Sequence, residues 1–267
     1  MQILKIFRRI LLGLLFIPAL QADARKIVSL SPAMTEVIYQ LGKGHELVGR
    51  SSACDYPADV KKLPIAGNLG DPDMVKILKI RPDVVVTNDL IVPAAAKTLQ
   101  QYHIKVFNFS YSSISEYREM VQQLGKELHA EKAAADEIAR IDKFIADCRK
   151  WKKLDKKILC LIWHHPLIAA GDRSMMNELL ELAGASNCVK ENINGYFQPS
   201  AKFLLNCQAD TLLIFENPKA YTKQPVLKHL EAVKKNQVIC FPNADLLQRP
   251  GPRFTEGVLK LREYLEK

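Results

Sequence analysis

The chain lacks every common catalytic signature: it contains no GxSxG, no GxGxxG, no P-loop and no HExxH. An enzyme built on this sequence would have to hide its motif, and the scattered Ser, His and Asp residues do not make one. There is also no internal repeat, no low-complexity tract and no Gly/Ser linker, which excludes solenoids and disordered tethers. No CxxC occurs among the six cysteines, at 54, 148, 160, 188, 207 and 240, so neither a zinc ribbon nor a thioredoxin-like redox pair is indicated. No apolar run reaches the roughly twenty residues that span a bilayer. The longest, Ile10 to Leu20, is about half that length and is broken by Pro18.

That short run reads instead as the centre of a secretory signal peptide. Lys5, Arg8 and Arg9 precede it and Ala22-Asp23-Ala24 follows, so residues 1–24 are expected to be removed, leaving Arg25 first. With no cysteine near the cleavage point, a lipid-anchored form is not expected, and the reading is a free periplasmic protein acting as a monomer. Removal takes away three cations and one anion, so the formal net charge of +9 falls by two and the chain stays basic. The basic residues are spread over helix faces and short runs such as 149–153, with one interleaved aromatic, Trp151, and no nucleic-acid motif; they read as solvated faces. The oxidising compartment permits disulfides without specifying a pairing. One disulfide within the second lobe is left open, Cys160 and Cys240 fall inside apolar strand-like runs, and Cys54 is expected to have no partner.

From Ser113 to Leu154 there is no proline and a single glycine, Gly125. Ser113 and Glu116 form a capping box, and apolar residues recur at helical steps: Tyr117, Val121, Leu124 and Leu128, then Ile138, Ile141, Ile145 and Cys148. The pattern weakens at His129 to Glu131, which predicts a shorter helix ending near Leu128 and a longer one from Glu131 to Lys152, roughly 33 Å at about 1.5 Å per residue. Strands and helices alternate on both sides of this rod. Before it, strands are expected at 26–30, 46–51, 83–87 and 105–109, with helices at 31–41 and 71–80. After it come strands at 157–163, 211–215 and 237–241, with helices at 174–183, 200–206 and 225–234. Such alternation means parallel sheets. The fold expected is therefore α/β: two Rossmann-like lobes with central parallel sheets, residues 25–112 and 155–267, joined through a helical linker at 113–154 that acts as a single long backbone helix.

In open parallel sheets ligands lie at the carboxyl ends of the strands, which singles out the loops beginning at Ser31-Pro32, Ser52, Asn88, Trp163 and Pro242. Trp163, Tyr56, Tyr196 and Phe197 sit at loop edges, where a large flat ligand needs apolar cover. His164 and His165 follow the Trp163 strand, but adjacent residues on an extended backbone point opposite ways and no carboxylate completes a metal set, so no protein-bound metal is expected.

Several of these stretches resemble the periplasmic cobalamin-binding proteins of the helical-backbone class. The run Ile27 to Glu36 with its Ser-Pro-x-x-Thr-Glu, then Cys54-Asp55-Tyr56-Pro57, Arg81-Pro82-Asp83-Val84-Val85, and the ending Asp245 to Arg253 with Arg-Pro-Gly-Pro-Arg carry the resemblance, which spans essentially the whole mature chain. It implies two lobes on one long helix, a corrinoid held as cargo in the cleft, no resident cofactor, and delivery to the membrane permease of an ABC importer. Haem and siderophore binders share the fold; in a haem binder here Tyr56 or His164 would ligate iron. By position, Tyr56, Asn88, Tyr196, Asp245 and Arg249 match places that contact the corrinoid. Leu69 and Asn88 stand where an aromatic wall occurs in the family, leaving Trp163 or Phe197 to substitute. Asp245 and Arg249 either pair with each other as a surface tether or meet the amide rim of the ligand. The glutamates through which each lobe of the family meets its transporter are replaced by Val75 and Lys202.

Overall fold

The computed structural model describes residues 25–267 except 70, 89–90, 191, 216–217 and 223. The expected signal peptide at 1–24 lies outside the described residues. In chain order the first lobe contains β1 (Ile27–Ser29), α1 (Pro32–Gln40), β2 (Leu47–Ser51), β3 (Ile65–Asn68), β4 (Asp71–Pro72), α2 (Met74–Ile80), β5 (Val84–Thr87), α3 (Pro93–Gln101) and β6 (Lys105–Asn108). Two helices follow, α4 (Ile114–Glu127) and α5 (Glu131–Cys148). The second lobe has β7 (Lys157–His164), β8 (Leu167–Ala170), α6 (Met175–Leu182), β9 (Ser186–Asn187), β10 (Tyr196–Phe197), α7 (Ala201–Asn206), β11 (Thr211–Ile214), α8 (Pro218–Thr222), α9 (Glu231–Lys234), β12 (Val238–Cys240), α10 (Asp245–Gln248) and α11 (Phe254–Leu265).

The first sheet runs β4-β3-β2-β1-β5-β6, parallel except at β4. The second runs β10-β8-β7-β11-β12 with β9 beside the start of β7; β7, β9, β11 and β12 are parallel, and β8 and β10 fold back antiparallel at one edge. The central strands are buried on both faces, which is why they read as unbroken apolar runs. Successive side chains alternate between layers: Ile27, Val84 and Val86 pack with α1 and α4, whereas Val28 and Val85 pack with Ile77 of α2 and Leu99 of α3.

The connection between lobes differs from the single long helix expected. Leu128 to Ala130 reverse the chain, with His129 in the left-handed region at φ 51°, and α5 folds back along α4. The pairing is antiparallel: Arg118 is ion-paired with Asp142, and further along Gly125 meets Ala134. The 14-residue α4 starts at the second lobe, where the Ile114 amide donates to Glu178 of α6 (2.7 Å), and ends at the first, where Glu127 meets Arg25 (2.6 Å) and Lys105 (2.5 Å). The 18-residue α5, about 27 Å long at about 1.5 Å per residue, makes the return journey. It stops at Cys148, short of Lys152, because the chain turns there to set Trp151 edge-on against Phe144. Both helices turn an apolar face inward, and one hydrophobic core runs continuously from Val84 of the first sheet through Tyr117, Leu124, Ile141 and Ile145 to Leu213 of the second.

Cys188 and Cys207 form a disulfide in the second lobe, while Cys54, Cys148 and Cys160 are reduced and buried. Among the described residues no helix is long and apolar enough to cross a membrane.

Gly125 permits the close approach of the two connecting helices, since a methyl there would collide with that of Ala134. A glycine-to-alanine change in a helix interior ordinarily stabilises by about 1 kcal/mol. Gly125→Ala is instead expected to destabilise by about 1–3 kcal/mol through overpacking, measured by urea denaturation. Ala134→Gly in that background should recover at least half of the loss, and a stabilised Gly125→Ala single variant would contradict the tight packing of this hairpin.

Candidate functional site

The three motifs that stand out in the sequence meet in one place. Ser31 caps α1, its hydroxyl 3.5 Å from the Met34 amide, and Pro32 takes the first helical position, where a missing N–H costs nothing. Thr35 reaches back, its hydroxyl 2.8 Å from that of Ser29, 2.9 Å from the Ser31 carbonyl and 3.1 Å from the Cys54 thiol, so a buried polar knot fixes this loop to β1. Glu36, one residue on, is buried and receives both ends of the Arg253 guanidinium, at 2.8 Å and 2.5 Å. The Tyr56 ring lies under the same guanidinium, 3.7 Å from its carbon.

The closing loop, 249–253, contributes the other half. Tyr111 donates to the Pro250 carbonyl (2.6 Å), Arg140 of α5 donates to the Pro252 carbonyl (2.8 Å) and to Thr255 (3.1 Å), and Arg140 is itself held bidentately by Glu137. Gly251 lies against α1, where a side chain would press on Glu36 and the Ala33 carbonyl. Arg249 reaches across to the first lobe, 3.4 Å from the Ala53 carbonyl and 3.6 Å from Asp55, and is paired with Asp245 at 3.2 Å. Burial pushes the Glu36 carboxyl above its ordinary range, and the Arg253 charge offsets only part of that.

Beside this junction both lobes line a cavity of about 430 Å³. Ser31, Pro32, Ala33, Leu69, Asn88 and 110–112 come from the first-lobe side; Ser174, Met175, Gly195, Tyr196, Gln248, Arg249 and Pro250 come from the second. Recesses of about 580 and 720 Å³ elsewhere are larger, but this is the one built at the carboxyl edges of both sheets. Among the described residues Arg249 is the only charged side chain in its lining; the rest of their polar surface there is hydroxyl and amide. The Asn88 side-chain oxygen is buried and has no hydrogen-bond partner among the described residues, so it offers an acceptor to a ligand. Ser174 caps α6, with the Asn177 amide at 3.2 Å, and donates to the Gly171 carbonyl at 2.7 Å. Burial raises the Tyr111 phenol far above its usual range, so it stays a neutral donor.

Six of the ten residues singled out from the sequence line this cavity: Ser31, Pro32, Leu69, Asn88, Tyr196 and Arg249. Four do not. Tyr56 belongs to an adjoining recess of about 240 Å³ with Glu36 and Arg253, and Asp245 stands behind Arg249 as its ion-pair partner. Trp163 and His164 are carried away by the β7–β8 hairpin: the Trp163 indole donates to the His165 carbonyl (2.9 Å), and His164 lies between Trp163 and Tyr221, with ring centroids 5.3 Å and 5.7 Å apart. Phe197 stacks edge-on against Phe203 and is likewise outside the lining. The sequence reading missed Ser110, Tyr111, Ser112 and Ser174. Their signal was present, because 110–112 follow the carboxyl end of β6 and Ser174 opens a helix. Among the described residues no three His, Cys, Asp or Glu side chains are grouped to hold a metal.

Two open α/β lobes closed over a polar cleft at their strand ends define a substrate-binding protein. The periplasmic binding protein family model matches residues 27–244, and the chain belongs to that family. An ABC transporter substrate-binding lipoprotein of Bacillus subtilis is 27% identical over 258 residues, covering 92% of this chain and 81% of its own. The crystal structure of the periplasmic vitamin B12-binding protein of Vibrio cholerae superposes with a TM-score of 0.74 at 25% identity, covering 91% of this chain and 96% of its own. The periplasmic haem-binding protein of the same species superposes at 0.80 with 21% identity, covering 92% and 100%, and shows the fold alone. The Bacillus relative corrects one expectation. A substrate-binding lipoprotein so similar over nearly the whole chain points to a membrane-anchored protein, against the free, unanchored periplasmic form read from the sequence.

The Glu36–Arg253 pair has a testable consequence. Arg253→Ala leaves a buried carboxylate unpaired and should cost about 3–5 kcal/mol at pH 7. Without its arginine the folded-state pKa of Glu36 rises further above the unfolded value of about 4.3. The penalty is therefore fully present above the folded pKa and shrinks as pH falls towards the unfolded one. Denaturation curves between pH 7 and 4.5 check this; a pH-independent deficit would locate the damage elsewhere.

Proposed function

We propose that this protein captures a corrinoid in the cleft between its lobes and hands it to the membrane permease of an ABC importer. The observation that carries the reading is the cavity lining: among the described residues it consists of hydroxyls, amides, one guanidinium and an Asn88 oxygen with no partner among them, drawn from both lobes. A corrinoid carries a rim of amide side chains, each both donor and acceptor, which such a lining satisfies without a metal ligand or a counter-charge. The similarity to the vitamin B12-binding protein of Vibrio cholerae supports the same reading. Haem is the second reading, because the phenols of Tyr111 and Tyr196 line the cavity; the residues first considered for iron, Tyr56 and His164, do not.

Val75 and Lys202 occupy the second positions of α2 and α7, one in each lobe, and both are exposed, Val75 to 78%. Docking through carboxylates at these places is not available, so the permease would recognise the lobes through other contacts.

Calorimetric titration with cyanocobalamin and with haemin tests the ligand. Cyanocobalamin is expected to bind, and Arg249→Ala to weaken it roughly tenfold to a hundredfold, since a hydrogen bond to a charged group contributes about 1.5–3 kcal/mol. Asp245→Ala should weaken it less, because Asp245 acts through Arg249. Haemin binding with a Soret band that shifts in Tyr196→Phe, and no uptake of cyanocobalamin, would transfer the assignment to haem.

A further inference from the structure

Tyr111 lies in the loop between β6 and α4, flanked by the exposed Ser110 and Ser112, and it lines the cleft cavity. Its hydroxyl donates to the Pro250 carbonyl on the closing loop, at 2.6 Å. Among the described residues this is the only side-chain hydrogen bond made to the backbone of 249–251. The ring is braced as well as the hydroxyl. It stands edge-on to Tyr117 (centroids 5.3 Å apart, planes at 73°), and Tyr117 stands edge-on to Phe254 (5.7 Å, 88°). Phe254 is fully buried and opens α11 just past the closing loop. One aromatic stack therefore spans that loop, reaching Pro250 through the Tyr111 hydroxyl at one end and Phe254 at the other.

Proline fixes φ, so the backbone freedom from Arg249 to Pro252 is concentrated around the peptide that joins Pro250 to Gly251. That peptide carries the carbonyl to which Tyr111 donates. The Pro250 ring nitrogen is bonded directly to the Arg249 carbonyl carbon, so holding this plane also holds the residue that carries the guanidinium. From there the Arg249 side chain is steered by Asp245 (3.2 Å), Asp55 (3.6 Å) and the Ala53 carbonyl (3.4 Å) along the cavity wall. We propose that Tyr111 is a positioning residue of the cleft: its hydroxyl sets the path of the closing loop and so the point at which Arg249 meets carbonyl oxygens of the ligand. The inference rests on the capture of an amide-rimmed ligand proposed above, and its test has one arm that needs no ligand.

Tyr111→Phe removes the hydroxyl and leaves the ring in its stack, so the fold should persist. Calorimetric titration is expected to show cyanocobalamin bound roughly threefold to tenfold more weakly, the range of one neutral hydrogen bond. Because Tyr111 acts through Arg249, Tyr111→Phe/Arg249→Ala should bind within about twofold of Arg249→Ala alone. Tyr117→Phe makes the same chemical change one ring further along the stack, at a hydroxyl with no hydrogen-bond partner among the described residues, and should leave affinity unchanged. Unchanged affinity in Tyr111→Phe, losses that multiply in the double variant, or equal weakening in Tyr117→Phe overturns the proposal. Hydrogen exchange in the ligand-free protein reads the loop directly. The Gly251 amide, which donates to the Arg249 carbonyl at 2.7 Å, is expected to exchange at least about threefold faster in Tyr111→Phe, with the Val85 amide in the first sheet unchanged. Wild-type exchange at Gly251, or a rise at both amides, overturns the proposal. If the wild type takes up no cyanocobalamin while Gly251 alone exchanges faster in Tyr111→Phe, the corrinoid reading falls and the positioning role stands.

Discussion

The joint between the lobes depends on one buried carboxylate. Glu36 sits in the first helix with a side chain almost wholly out of water, a position that ordinarily favours the neutral acid. Its bidentate contact with Arg253 makes that position tenable, and in doing so it fixes the end of the closing loop against the first lobe. The rest follows from where that loop is held. Pro250 and Pro252 present their carbonyls to Tyr111 and Arg140, Gly251 nestles on α1, and Arg249 is aimed at the cleft. Two residues more than two hundred positions apart thus set the shape of a site to which neither contributes a lining atom.

Much of this architecture was legible in the letters, and the reasons are physical. Strands buried on both faces must be apolar at every position, so Val84 to Val86 and Leu212 to Ile214 announce themselves. Ser-Pro before an apolar helix reads as a start because the hydroxyl caps and the ring needs no donor. What failed to show has equally definite causes. The weakened apolar step at His129 to Glu131 marked the break between the two helices, but the reversal there depends on a left-handed backbone at a residue that is not glycine, so their antiparallel return was not legible and the pair read as one rod. Strands of two residues, such as β4, β9 and β10, are too short for any period. Trp163 and His164 were placed at the lip because β7 ends there, but neither lines the cavity: the indole donates to the His165 carbonyl and the two rings pack against each other.

The cleft shows how a site is assembled from residues that are individually unremarkable. Serines at 31, 110, 112 and 174 are among the commonest letters in any sequence; they acquire meaning because the carboxyl ends of two sheets bring them to one wall. The single charge in that wall among the described residues, Arg249, is balanced by Asp245 and Asp55 from opposite lobes, so it does not present a raw cation to the cleft. A ligand rich in neutral donors and acceptors suits such a surface better than one that must be paid for in charge.

The hairpin of α4 and α5 bears on what counts as a folding unit here. The chain passes from the first lobe to the second, back, and over again before β7 begins, and each passage lays apolar side chains into the same core. A segment cut out at either sheet boundary would carry away apolar side chains that complete the shared core of its neighbour. The two lobes are therefore not modules in the genetic sense: neither could be shuffled onto another protein or inherited alone, and the molecule is constrained to melt, and to evolve, as a single piece.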